Sequence, residues 1–256
     1  MKGIKEWGLN WHLGRVRKKS WARKPGSLVR FLDYTVRITD GPNFYMQYKD
    51  EFIRRIYHFE TKRPNPFIID GGSNIGISIL YFKHVYPEAR VIGFEPDPGI
   101  FKILQENIAR NHLKDVTLVN AGLSIRSGMM AFVPDGSSGG RLGGEENSIE
   151  VETRPLSDYL AGSVDFMKLN IEGQELPVLQ EAEASGKLRN IREMVIEYHG
   201  WPREEQRLGA LLDLLDRNGF RYLVHDFDAE TCSTTKLPFH LPLDAPWFCL
   251  VYGRRT

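Results

Sequence analysis

Two acids stand 25 residues apart, each behind an apolar run: Asp70 after Phe67-Ile68-Ile69, and Glu95 after Val91-Ile92-Gly93-Phe94. Glycines 71, 72 and 76 follow the first acid. A glycine-rich turn between a buried strand and a helix is where ligands sit at the carboxyl edge of a parallel sheet, and the neighbouring residues separate three ligand types. A nucleoside triphosphate needs GxxxxGK[ST]; Gly71 and Gly76 have the outer spacing, but Ile77 stands where a lysine must neutralise phosphate. A dinucleotide wants GxGxxG, and Asp70 would set a carboxylate beside a pyrophosphate with no adjacent cation. S-adenosylmethionine carries an ammonium and a sulfonium and no phosphate, so the same acid attracts it. Glu95 is placed to accept both hydroxyls of an adenosine ribose, which suits NAD and S-adenosylmethionine alike. The expected cofactor-binding set is therefore Asp70, Gly71, Gly72, Ser73, Asn74, Gly76, Glu95, Pro96 and, at the end of a third strand, Asn120.

The elements that must hold these residues alternate between strand and helix after Pro66, the pattern of a parallel sheet covered on both faces. Strands are expected at 67–70, 90–95, 116–120, 164–169 and 193–198, with helices at 75–86, 98–111, 174–188 and 203–218. A hairpin of 128–133 and 149–153 flanks the Gly-rich loop Asp135–Gly144, and strands at 222–226 and 247–252 suit an antiparallel edge. Ahead of this lie short strands in 28–39 and a helix over Phe44–Phe59, whose Phe52, Ile53, Ile56, Tyr57 and Phe59 recur at helical spacing. The domain organisation read from this is a basic arm (1–30), a cap (31–66) and an α/β domain (67–256). Residues 28–60 and the loop Asp135–Gly144 are expected to cover an acceptor pocket.

The segments Asp70–Gly76, Phe94–Pro98, Val164–Glu175 and Val195–His199 resemble the successive motifs of the FkbM-type methyltransferases. The resemblance is tight over 67–199, looser to about 252, and reaches back to the helix before Pro66. It implies a class I methyltransferase (Rossmann-like) fold, with a seven-stranded, mostly parallel sheet, and methylation, usually at oxygen, of sugars, polyketides or related secondary metabolites. One departure matters: the family commonly has Lys-x-Asp-x-Glu-Gly, and here Asn170 replaces that Asp.

Methyl transfer to a hydroxyl is an in-line displacement that gains from positioning and from a base. His199 is the first choice for the base, because an imidazole titrates near neutrality and it falls just past a strand end before Gly200-Trp201-Pro202. Glu172 is the alternative. Asn170, Glu172 and His199 could instead hold a divalent cation, which is less favoured because Asn is a weaker ligand than Asp. Competing readings are a non-catalytic binding protein of the same fold and an NAD-binding oxidoreductase.

The chain has 256 residues, 41% hydrophobic and 26% charged, enough to bury a real core. Its two cysteines, Cys232 and Cys249, lack the spacing of a metal knuckle and point to a reducing, cytoplasmic compartment. No apolar run reaches the length of a membrane span. The net charge of +1 hides an asymmetry: residues 1–30 hold nine Lys or Arg against Glu6 alone, leaving the rest acidic. That arm allows a peripheral membrane or other anionic contact. A nucleic-acid acceptor is not expected: the strand ending at Leu169 lacks the Asn/Asp-Pro-Pro-Tyr/Phe of the amino-methylating enzymes, and neither cysteine follows a proline.

Overall fold

A computed structural model of the chain describes residues 14–136, 139–143, 147–202, 204–225 and 246–255. Residues 14–20 are helical (α1), and Leu28–Phe31 (β1) pairs antiparallel with Tyr34–Arg37 (β2). Most of the basic arm's first half and Cys232 lie outside the described residues. Asp40 accepts a hydrogen bond from the Asn43 N–H and so caps α2 (Gly41–Gln47), which Pro42 helps to start. The single helix expected over Phe44–Phe59 is instead α2 followed by a π-helical segment, Tyr48–Arg54, ended by Arg55 in the left-handed region. Phe44, Tyr48 and Phe52 stack along one side of it, and Phe31 packs edge-on against all three.

The α/β part follows the expected alternation. Its elements are β3 (Phe67–Gly71), α3 (Ile77–Val85), β4 (Arg90–Phe94), α4 (Pro98–Arg110), β5 (Val116–Val119), β6 (Gly122–Ser124), β7 (Gly128–Val133), β8 (Arg141–Leu142) and β9 (Ile149–Pro155). They continue as β10 (Phe166–Leu169), α5 (Glu175–Ala184), β11 (Glu193–Gly200), α6 (Leu208–Arg217), β12 (Phe220–His225) and β13 (Trp247–Arg255). The main sheet runs β12-β13-β11-β10-β3-β4-β5. Strands β11, β10, β3, β4 and β5 are parallel, and β13 is antiparallel to both neighbours, so the edge is as expected. Because the chain lays β4 and β5 on one side of β3 and then returns to place β10 on the other, the strand order reverses between β3 and β10. A crevice opens at the carboxyl ends of strands at such a point.

Three departures bear on the site. The β7/β9 hairpin is real, with Gly128 opposite Thr153, but it belongs to a separate sheet ordered β6-β9-β7-β8. Strand β11 runs to Gly200, because His199 and Gly200 pair with Phe248 and Trp247 of β13, so His199 lies inside a strand and not past its end. Helix α6 starts only at Leu208; just ahead of it the Tyr198 hydroxyl accepts from the Arg207 N–H.

The 31–66 region shares one core with α3 and α4, in which Phe31, Phe44, Tyr48 and Phe52 meet Ile77, Leu80 and Leu104. Buried Asn107 of α4 fastens it: its Oδ1 accepts from the Arg37 N–H, and its Nδ2 donates to the carbonyls of Arg37 and Ile75. No helix among the described residues is long and apolar enough to cross a membrane.

Candidate active site

At the reversal between β3 and β10 the chain folds too tightly for side chains. The Asn170 N–H donates to the Gly71 carbonyl at 3.1 Å, and a Cβ on Gly72 (φ 77°) would overlap the Asn170 carbonyl. Gly72 and Ser73 both donate their N–H to the Phe94 carbonyl, at 3.1 and 2.8 Å, which clips the turn to the end of β4. Asn74 follows with φ 48°, a conformation asparagine tolerates.

Asp70 and Lys168 are register partners on β3 and β10, and both are buried. Lys168 Nζ lies 3.2 Å from Asp70 Oδ1 and donates to the carbonyls of Gly71 (3.1 Å) and Gly72 (2.5 Å), while Ser78 Oγ donates to Asp70 Oδ2 at 2.6 Å. Asp70 thus stands behind the wall, neutralised, and organises the turn. Lys168 is the lysine of the Lys-x-Asp-x-Glu-Gly pattern, and its signal in the sequence is a lone cation in an otherwise apolar strand, which requires a buried acid beside it.

A cavity of about 400 Å³ opens in front of this turn. Of the expected cofactor set, Gly72, Ser73, Asn74, Glu95 and Pro96 line it. Asp70, Gly71, Gly76 and Asn120 do not; Asn120 Nδ2 donates to the carbonyls of Glu95 and Pro96 and fixes the loop that presents Glu95. Glu95 is 6% exposed, accepts from the Asn74 and Asp97 N–H groups at 2.9 Å each, and retains lone pairs toward the cavity. Burial pushes its carboxyl up to about 7, against the pull of those two N–H groups.

Asn170, Glu172 and His199 all line the same cavity. Glu175 builds their geometry: its Oε1 accepts from the Ile171 and Gly173 N–H groups and its Oε2 from Gly173 again, which folds 171–173 into a tight turn at the start of α5. The acid that serves the start of α5 is therefore Glu175 and not Glu172. Glu172 is left with φ 57°, a left-handed backbone costing a non-glycine residue on the order of 1–2 kcal/mol, and its carboxylate faces His199. His199 Nε2 lies 3.4 Å from Glu172 and 3.7 Å from Glu197, and Nδ1 lies 3.7 Å from Glu175. Glu197 and His199 share a face because they are two apart on β11. Trp201 stacks on the imidazole at 5.5 Å and 9°.

These contacts set the charge states. Burial works against the imidazolium, yet the carboxylates of Glu175, Glu172 and Glu197 together hold His199 up at about 9. Burial raises Glu172 to about 7, partly offset by His199. Glu197 is raised by burial in the same way, against His199, Lys168 and the Tyr57 hydroxyl, which donates to it at 3.3 Å. Among the described residues, no group of three or more His, Cys, Asp or Glu side chains is disposed to hold a metal ion.

The 31–66 region also contributes to the wall, through Asn43, Met46, Gln47, Asp50, Glu51, Ile56 and Tyr57, none of which the sequence marks as a site residue. Gly140, Leu142 and Asp135 line the cavity from the other side, as expected for the described part of the loop Asp135–Gly144.

The residues present fit S-adenosylmethionine. The wall carries many carboxylates, and its one lysine is consumed by Asp70 and two carbonyls, so no free lysine or arginine faces a pyrophosphate among the described wall residues. A crevice at the strand reversal of a seven-stranded sheet with an antiparallel edge defines a class I methyltransferase. A solved structure of TYW2 from M. jannaschii in complex with AdoMet has the same fold, with a TM-score of 0.50 and 12% identity over 92% of this chain and 89% of that one. The profile described as the methyltransferase FkbM domain matches residues 70–222, and the chain belongs to that family. It is a methyltransferase that uses S-adenosylmethionine, which overrides the oxidoreductase and the non-catalytic readings. It is 29% identical over 189 residues to methyltransferase sdnD of Sordaria araneosa, covering 59% of this chain and 73% of that protein. It is 30% identical over 182 residues to 2-O-methyltransferase NoeI of Sinorhizobium fredii (60% and 72%), and 28% identical over 196 residues to hexuronic acid methyltransferase AglP of Haloferax volcanii (73% and 77%).

Proposed function

We propose that the chain methylates a hydroxyl of a small-molecule or glycan acceptor, such as a sugar, polyketide or other secondary metabolite, in a reducing cytoplasmic compartment. The observation that carries this is the Glu172–His199 pair, buried in the wall of the cavity that Glu95 also lines. The relative named as a 2-O-methyltransferase supports oxygen as the accepting atom. The bound donor supplies a methyl group made electrophilic by its sulfonium.

In this reading Glu95 holds the ribose hydroxyls, and the backbone of Gly72–Asn74 closes against the donor, with Asp70, Gly71, Gly76 and Asn120 shaping the loops behind. A protonated His199 has no lone pair to give at neutral pH. The base is therefore Glu172, whose ionisation near 7 suits proton uptake from a hydroxyl, and His199 is the cation that stabilises its carboxylate. Asn170, whose Oδ1 has no hydrogen-bond partner, accepts a hydrogen bond from the acceptor. The division into arm, cap and catalytic domain, and an anionic contact through residues 1–30, belong to the same proposal.

Incubation with S-adenosylmethionine labelled in its methyl group, against a panel of sugar, polyketide and peptide acceptors, tests it. Label on an acceptor oxygen, reduced about 10²–10⁴-fold in Glu172→Gln and insensitive to chelator, is expected. Label confined to nitrogen or carbon, or activity abolished by chelator and restored by a divalent ion, would overturn the reading.

A further inference from the structure

Four buried polar atoms on the cavity wall have no hydrogen-bond partner: Glu51 Oε2, Asn170 Oδ1, His199 Nδ1 and Trp201 Nε1. Three belong to the sheet edge that carries the reaction centre. Glu51 comes from the other side, on the π-helical segment, and is 7% exposed. A buried carboxylate with an unpaired oxygen costs several kcal/mol unless something cationic meets it, so one so placed needs an account.

The donor brings a cation. S-adenosylmethionine and its product S-adenosylhomocysteine both end in an α-ammonium, and Asp70, the acid the sequence offered for it, is neutralised behind the wall by Lys168 and Ser78. The remaining wall acids are occupied. Asp50 pairs with Arg54 at 2.9 Å, Glu95 is bound by two N–H groups at the ribose end, Asp97 accepts from the Gly99 and Ile100 N–H groups, Asp135 accepts from the Gly139 N–H, and Glu172 and Glu197 face His199. Glu51 also stands close to the glycine turn: Gln47, one helical turn earlier, donates its side-chain amide to Asn74 Oδ1 at 3.1 Å. A π-helical stretch is rare and tends to mark functional positions.

Building on the donor assignment above, we propose that Glu51 accepts the α-ammonium of the methyl donor, so that the 31–66 region completes the donor site as well as covering the acceptor. Burial, with Asp70, Asp50 and Glu197 adding to it, holds the Glu51 carboxyl well above the usual range against the pull of Lys168, and an ammonium is the counter-charge that would ionise it.

Calorimetry on the full chain with S-adenosylhomocysteine and with 5′-methylthioadenosine, which keeps the adenosine and sulfur but lacks the amino-acid tail, tests this without knowledge of the acceptor. Glu51→Gln should weaken S-adenosylhomocysteine binding about ten- to hundredfold and leave 5′-methylthioadenosine within about twofold, which also reports that the variant is folded. Glu51→Asp should fall between, and Glu95→Ala should weaken both ligands. Unchanged S-adenosylhomocysteine affinity in Glu51→Gln, or equal loss of both ligands, would overturn the assignment. A wild-type chain that binds neither ligand would overturn the donor reading itself.

Discussion

Replacing Glu172 by Gln should lower the ionisation of His199, and this can be measured without knowing the acceptor. The imidazole lies at about 9 against an ordinary value of 6.5. At roughly 1.4 kcal/mol per pH unit, that is on the order of 3 kcal/mol of net preference for the cation, left after burial has been overcome. Three carboxylates supply it: Glu175 contributes most, Glu172 follows and at 3.4 Å is the nearest, and Glu197 adds the least. An opposite charge at that range is worth about 1–3 pH units, so Glu172→Gln should bring His199 to roughly 6–8 while Glu175 and Glu197 keep it from falling further. The assay is an NMR titration of the histidine Cε1–H signals, with His199 assigned from His199→Asn. A wild-type His199 that titrates at or below 6.5 would refute the charge assignment and return the imidazole to the role of base. An unchanged value in the variant would refute the pairing with Glu172.

Removing Lys168 should be more damaging than removing its whole ion pair. Lys168→Met leaves the buried Asp70 without its ion-pair partner and should cost about 3–5 kcal/mol in chemical denaturation, while the Asp70→Asn, Lys168→Met double variant should recover part of that loss. The pH dependence of stability has a definite sign. Glu95 and Glu172, at about 7 in the folded chain against 4.5, contribute stability below 4.5 that is lost as pH rises through 7. His199, raised to about 9, contributes below 6.5 and loses it through 9. At these three groups the folded chain binds more protons throughout this window, against the single opposing histidine among the described residues, His58, which burial and Arg55 pull below its ordinary value, so denaturation at pH 5.5 should give a higher unfolding free energy than at pH 8.5, and the opposite slope would contradict these charge states.

The sheet and its helices were legible because each strand–helix alternation carries its own apolar period and turn residues, and no distant contact was needed to see them. Glu95 was legible for the same reason, as an acid ending an apolar strand. What was hidden depends on pairing across the chain. Asp70 looked like a free anion because Lys168, its neutraliser, lies on another strand of the sheet. The surroundings of His199 were hidden because only β13, some fifty residues on, extends its strand to Gly200, and only the fold brings Glu172, Glu175 and Glu197 around the ring. Glu51 was invisible for a further reason: an acid in an amphipathic helix reads as a solvated face, and the π-helical turn that buries it has no signal in composition or spacing.

The central claim is that the crevice between β3 and β10 holds the methyl donor by its ribose and glycine turn, and calorimetric binding of S-adenosylhomocysteine to wild type and Glu95→Ala tests it most directly. Two charge-assisted hydrogen bonds are lost in the variant, each worth about 1.5–3 kcal/mol before relaxation. The account predicts one-to-one binding by the wild type and an affinity at least about tenfold weaker in Glu95→Ala. Equal affinity in the two proteins would contradict it.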